Sequence, residues 1–512
     1  MFVNRRVVAL GLAVAVTLSC RGKIERALVP PDGLAASRVQ ASKTEHLKAH
    51  LKSGELVVFD DWTFPDATRV TGNGVRYSID RTTATPGAHT VSFGEVALFE
   101  TNTPKLPPEA LGLAVLTGIS AIVTVACFTM PKACFGSCPT FYVPEPSGER
   151  LVAEGFSQAV APSLEADDVD ALWQWEPRGT VARLKMRNEA LETHVVRRVN
   201  LLAVPRGEHE VVETTRGTFR AARDWTNPAT CTAENGDCLA AVARSDGNEW
   251  FSESDGIDLA HRETLEIEFG DLPRGEKGLV LRFRQTFLTT FLFYQALAFL
   301  GDDATATLAE LERRNVSRDA VGGGYEDIIG QIEVHVRDPR EGKWLHVGAI
   351  SETGPLARNT LALELGELAS AAGPLEVRLD VARGNWRFDE VAIVGLGATR
   401  EALVIEPKRV VGRLGDVTQI LLDPSRSLVT LPGDDYELEF PLPPDPASYR
   451  FFLDSRGYYL EWIREEWAVE KNPAMALLTL RMPHVALRVL APRYKELEPR
   501  MEKIFWESKY EN

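Results

Sequence analysis

From Leu47 onward the chain returns again and again to one unit: a short apolar run, alternating or β-branched, closed by Gly, Pro, Asn or Asp. Successive strand side chains point to opposite faces, so this period of two predicts sheet, and the turn residues fix where each strand stops. Leu47, Ala49 and Leu51 alternate with polar neighbours, Ser53-Gly54 makes a turn, and 55–59 returns as a hairpin partner. Further strands are expected at 69–79, where Gly72 and Gly74 mark a bend or bulge, and at 89–99. Residues 44–105 are therefore expected to form a small β-barrel of about five strands.

The same period continues at 180–187, 194–204, 264–269 and 278–284. It breaks at Phe287 to Leu300, apolar on every side and too short to span a bilayer, which predicts a helix buried in a central β-rich domain over 132–315. After Gly322-Gly323-Gly324, strand candidates at 331–336, 344–350, 360–365, 375–381 and 385–394 predict a jelly-roll-like β-sandwich over 316–400. The C-terminal region, 401–512, reads as further strands ending in helices at 473–478 and 493–510, with Pro499 kinking or restarting the last. The fold class expected is mainly β with some helices (α+β), in several domains.

The N-terminus carries Arg5 and Arg6, an uncharged apolar run from Val7 to Leu18, and a small residue, Ser19. That is the layout of a signal peptide over 1–19. Thr17-Leu18-Ser19-Cys20 resembles the lipobox of bacterial lipoproteins, although that family usually has Leu where Thr17 stands. The resemblance implies a lipid on Cys20, an anchor in the cell envelope and, with Arg21 next, the outer membrane. Residues 20–43 read as a tether. Within 106–131, residues 111–130 hold no charge over a length that can cross a bilayer. Either they form a covered helix or they place the chain in the inner membrane.

A formal charge of −16 opposes nucleic acid as a partner and disfavours anionic lipid surfaces. In an oxidising compartment Cys134 with Cys138, and Cys231 with Cys238, are disulfide candidates, leaving Cys127 over; a four-cysteine metal site is the rival. Glu165, Asp167, Asp168 and Asp170 crowd four carboxylates together. They could cap a helix starting toward Leu172, ligate a hard cation, or serve an acid-base site with His194. His46 and His50 could pair on a metal but fit an exposed hairpin face better. Trp173 with Trp175, Trp386, and Tyr458 with Tyr459, Trp462 and Trp467 could be core or platforms for sugars.

Four stretches carry a family resemblance: Cys134-Phe-Gly-Ser-Cys-Pro-Thr-Phe-Tyr142, Ser163-Leu-Glu165 with Asp168, Arg187-Asn-Glu189 followed by Glu192-Thr-His194, and Gly457-Tyr-Tyr459 to Trp462. The chain resembles an uncharacterised family of exported bacterial proteins, and the resemblance implies location without activity. Phosphate-loop, GxSxG, HExxH and GxGxxG signatures are missing from the sequence. The function expected is a non-catalytic envelope lipoprotein, a scaffold or binding module for a protein or glycan partner, needing no cofactor or metal. The alternative is an envelope hydrolase working through Glu165 to Asp170 and His194.

Overall fold

The computed structural model describes residues 23–29, 47–78, 83–105, 138–146, 148–157, 159, 164–301, 325, 328–351, 354–461 and 470–508. The signal segment, Cys20, residues 111–130, Cys127, Cys134, His46, Trp462 and Trp467 lie outside them. The fold is mainly β. Contacts divide the chain into two units, one of residues 1–134, 296–314 and 462–476, the other of 135–295, 315–461 and 477–512.

The first unit is built on a seven-stranded antiparallel sheet. The expected hairpin is present as Leu47–Leu51 against Leu56–Phe59. Leu47, Val57, Phe59, Val70 and Phe99 form its core. Three details differ from the expectation. Part of the tether, Lys23–Val29, pairs along Val96–Lys105. The single strand expected at 89–99 is two, Ala84–Ser92 and Val96–Lys105, separated by a 3-10 turn at Phe93–Glu95. Gly72 and Gly74 mark close backbone approach and no bulge: a Cβ on Gly74 would sit 2.0 Å from the Val58 carbonyl oxygen, while strand Arg69–Tyr77 keeps an unbroken register with Ala84–Ser92.

The second unit holds four sheets. Two combine strands from far apart in the sequence. Glu192–Pro205 lies between Tyr449–Glu461 and Leu403–Ile405, with Ala166–Ala171 on the far side of Tyr449–Glu461; Thr140–Glu145 and Val181–Arg187 share a sheet with Asp435–Pro441. The other two sheets share one core, in which Ile267, Phe283, Val334, Val377, Trp386 and Phe388 are buried. The sandwich therefore does not begin near residue 316. Arg262–Leu272 and Lys277–Gln285, expected in a separate central domain, are inner strands of it. Period two marks a strand but not its partner, so the boundary was invisible locally.

Helix Leu288–Leu300 is the buried apolar helix expected, with Leu288, Phe291 and Leu292 enclosed. Phe287 stacks on Phe505 at 5.1 Å and Phe291 lies 5.2 Å from Tyr494, both in helix Pro483–Ser508. That last helix starts a turn or more earlier than expected, with Pro at its first position, where the missing N–H costs nothing. It runs on through Pro492 and Pro499. Among the described residues no single helix is long and apolar enough to cross a membrane.

Candidate functional site

The expected site residues do not assemble into one site. Cys231 and Cys238 form a disulfide across a hairpin turn, which removes the four-cysteine metal reading. Cys138 is a buried free thiol, and Cys134, its expected partner, lies outside the described residues. Burial pushes that thiol well up, and the carboxylates of Glu154, Glu192 and Asp168 push it further, so it stays protonated. Among the described residues no group of three His, Cys, Asp or Glu is placed to hold a metal ion.

The acidic stretch is strand, not helix start: Ala166–Ala171 pairs with Tyr449–Glu461, and Asp167 stands directly opposite Arg456. Arg456 donates to Glu165 at 2.8 Å and to Asp167 at 3.2 Å, Arg197 to Glu165 at 3.2 Å, and Arg198 to Asp167 at 2.7 Å. Cross-strand arginines supply what a helix N-terminus was expected to supply. His194 has different company: its Nε2 is 3.1 Å from Glu192, its ring sits edge-on to Tyr459, and it is fully buried. The hydrolase constellation is thus split between an arginine-bound sheet surface and the interior. Trp386, Tyr458 and Tyr459 are core.

The aromatic residue that does line a cavity is Trp173. After strand Ala166–Ala171 the chain turns through Gln174, whose φ of 57° is left-handed. Trp175 then packs inward on Phe451 at 5.6 Å, and Trp173 remains half-buried in a cleft of about 600 Å³. Trp225, on strand Phe219–Thr226, lies 5.7 Å from it with the rings 33° apart. The register of that strand against Trp386–Arg400 shifts between Arg223 and Thr226, and Asp224 is left-handed with φ 52°. An irregularity of this kind re-aims a side chain. Sequence reasoning singled out Trp173 but assigned it Trp175 as companion; Trp225 carried no local signal.

Polar groups complete the lining: Gln174, Glu176, Glu210, Ser245, Glu390 and Arg450. Trp225 Nε1 donates to Glu390 Oε1 at 3.3 Å. Burial raises the Glu390 carboxyl above its ordinary value, partly offset by that indole hydrogen bond and by the charge of Arg282. Arg450 sits over the Trp173 ring at 5.2 Å and donates to Glu210 through Nε at 3.0 Å; Arg206 holds the other Glu210 oxygen at 3.2 Å. Arg282, also over Trp173 at 5.8 Å, donates to Ser245 Oγ at 2.7 Å and faces Asp389. Its burial brings the guanidinium down to about 10, with Asp389 holding it up, so it stays charged at neutral pH.

This arrangement can bind and is poorly set for nucleophilic chemistry. Among the described residues the lining has no His, Cys or Lys, the Ser245 hydroxyl is engaged by Arg282 and Asp389, and Glu210 is paired with two arginines. What it offers is indole surface beside fixed hydrogen-bonding groups, the pairing that small-molecule sites use for orientation.

No family model and no curated protein matches the sequence. Among solved structures, an alpha-xylosidase from Xanthomonas citri aligns at 8% identity over 83% of this chain and 38% of its own, with a TM-score of 0.14. The secreted serine protease VesC from Vibrio cholerae aligns at 8% identity over 74% of this chain and 99% of its own, at 0.12. The chain spans well under two thirds of the xylosidase. Likeness this slight carries no argument about fold or function.

Proposed function

We propose that the chain is a non-catalytic binding protein of the bacterial cell envelope, tethered by lipid on Cys20, and that the Trp173–Trp225 cleft receives a saccharide. The observation that carries the binding reading is the lining itself: two indole rings 5.7 Å apart beside Glu390, Glu176, Gln174 and Arg450. A pyranose ring presents C–H bonds on its faces and hydroxyls around its rim. Indole suits the first, while carboxylates, an amide and a guanidinium suit the second. The tripartite N-terminus ending in Cys20 supports the envelope address.

Intrinsic fluorescence tests it, because Trp173 and Trp225 line the cleft. Titration with cell-wall and N-acetylglucosamine oligosaccharides is expected to shift the emission saturably. Trp225→Ala and Trp173→Ala are each expected to weaken binding at least about tenfold, as loss of a central aromatic anchor does. No response to any saccharide, or unchanged affinity in both variants, refutes the assignment.

A further inference from the structure

Helix Pro483–Ser508 is apolar where it faces its unit and, over its first turns, apolar again where it faces away. Ala486, Leu487, Leu490 and Tyr494 form the packed side. On the other, Val485 and Val489 follow the i, i+4 spacing of one helix face and are 36% and 53% exposed, and Met482, just before the helix, is 53% exposed. Leu477, in the preceding helix Pro473–Arg481, is 60% exposed. Isolated exposed apolar residues need no explanation, but four of the ten large ones exposed among the described residues fall within 477–489.

The charge around them runs against the rest of the protein. The chain carries −16, yet 471–495 contains Lys471, Arg481, Arg488, Arg493 and Lys495 and not one Asp or Glu. Arg481 and Arg488 flank the apolar row and face solvent. Arg488 donates to Asp258 at 2.7 Å while staying 65% exposed, and Lys495, set back from the row, is held by Glu253 and Glu498. From Glu496 on, Glu498, Arg500, Glu502 and Lys503 make the helix highly charged, and it does not qualify alone as a membrane span; Pro473–Thr479 and Pro483–Trp506 meet the length and composition of a span only as a pair, across a 117° bend.

A cationic rim around an exposed apolar row is the complement of an anionic phospholipid surface. The apolar side chains can enter the headgroup–acyl boundary while the guanidinium groups stay level with phosphate. We propose that the outward face of residues 477–489 rests in the plane of an anionic bilayer. This contact holds the second unit against a membrane independently of any lipid on Cys20, and independently of what the tryptophan cleft binds.

The test is vesicle flotation of the full chain carrying Cys20→Ala, so that no acyl chain contributes, with vesicles of phosphatidylcholine alone or mixed with phosphatidylglycerol. The triple variant Met482→Ser, Val485→Ser, Val489→Ser is expected to partition into anionic vesicles at least about tenfold less, since burying each of these side chains is worth more than one hydroxyl can replace. Arg481→Gln with Arg488→Gln is expected to remove the preference for anionic over neutral vesicles, as is raised salt. Because the substituted side chains point outward, circular dichroism and the urea midpoint should match the parent; if the triple variant is destabilised, Val489→Ser alone replaces it. Equal partitioning of the serine variant and the parent overturns the proposal. So does concentration-dependent self-association in sedimentation that the serine variant abolishes, which would assign the face to a second copy of the chain.

Discussion

Glu263 gives the sharpest stability prediction. It sits on strand Arg262–Leu272 opposite Val381 and is 1% exposed. One carboxyl oxygen accepts from the Ser252 hydroxyl; Oε2 has no hydrogen-bond partner among the described residues. Burial pushes this carboxyl from 4.5 up to about 7, with Arg383 and His261 opposing and Glu234 adding to the rise. The folded protein thus keeps a proton that the unfolded chain has already released. Below pH 4.5 both states are protonated and nothing is lost; between 4.5 and about 7 stability falls; above 7 the penalty is complete. At about 1.4 kcal/mol per pH unit the full span is worth on the order of 3 kcal/mol. Glu263→Gln stays neutral throughout and keeps an acceptor for Ser252, but places an amide N–H where Oε2 lacks a partner, at a cost of about 1 kcal/mol. The variant should therefore be about 1 kcal/mol less stable than the parent at pH 4.5 and about 2 kcal/mol more stable at pH 8. Urea unfolding followed by tryptophan fluorescence reads it, since Trp250 and Trp386 report from the same core. A parent-to-variant difference that stays constant from pH 4.5 to 8 refutes the reasoning.

Two further outcomes follow from the cysteines. Replacing Cys231 and Cys238 together by Ser releases a short loop, and chain entropy assigns its closure about 2.5 kcal/mol; an unchanged urea midpoint in the double variant would show that the bond contributes nothing to stability. Cys20→Ala should abolish incorporation of labelled palmitate in growing cells; label retained in the variant would place the lipid on another residue.

Several local features were read correctly, although His50, expected on an exposed hairpin face, is buried. The hairpin Leu47–Leu51 with Leu56–Phe59, the buried helix Leu288–Leu300 and the Cys231–Cys238 turn all depend on residues close in sequence. What failed depends on partners. Asp167 and Asp168 look like helix caps until Arg198 and Arg456 arrive from neighbouring strands to meet Asp167. The sandwich looks like 316–400 until Arg262–Leu272 pairs with Gly373–Ala382. The cleft is the extreme case, drawing Trp173, Glu210, Trp225, Ser245, Glu390 and Arg450 from distant segments, and no window of sequence contains more than a few of them.

Described residues from three of the stretches that carry the family resemblance, 140–142, 187–194 and 457–459, come together, and their chemistry points to architecture. Thr140 and Tyr142 both donate to Glu189, at 2.8 and 2.6 Å; Asn188 donates to the carbonyls of Glu192 and Thr430; His194 meets Glu192 and Tyr459. Every one of these side chains is buried. Burial raises the hydroxyls of Tyr142 and Tyr459 as it raises the Cys138 thiol, so at neutral pH all three remain protonated donors and none is an activated nucleophile. A network of protonated donors around enclosed carboxylates is costly to leave half made. A one-residue slip of Glu192–Pro205 against Tyr449–Glu461 would take Tyr459 away from His194 and turn the core face of the strand to the other side. These residues therefore select one register for sheets whose strands lie far apart in the chain. If the cleft binds a saccharide as proposed, binding falls to side chains outside these stretches, and Trp225→Ala should weaken it at least about tenfold while leaving that register, and the fold, intact.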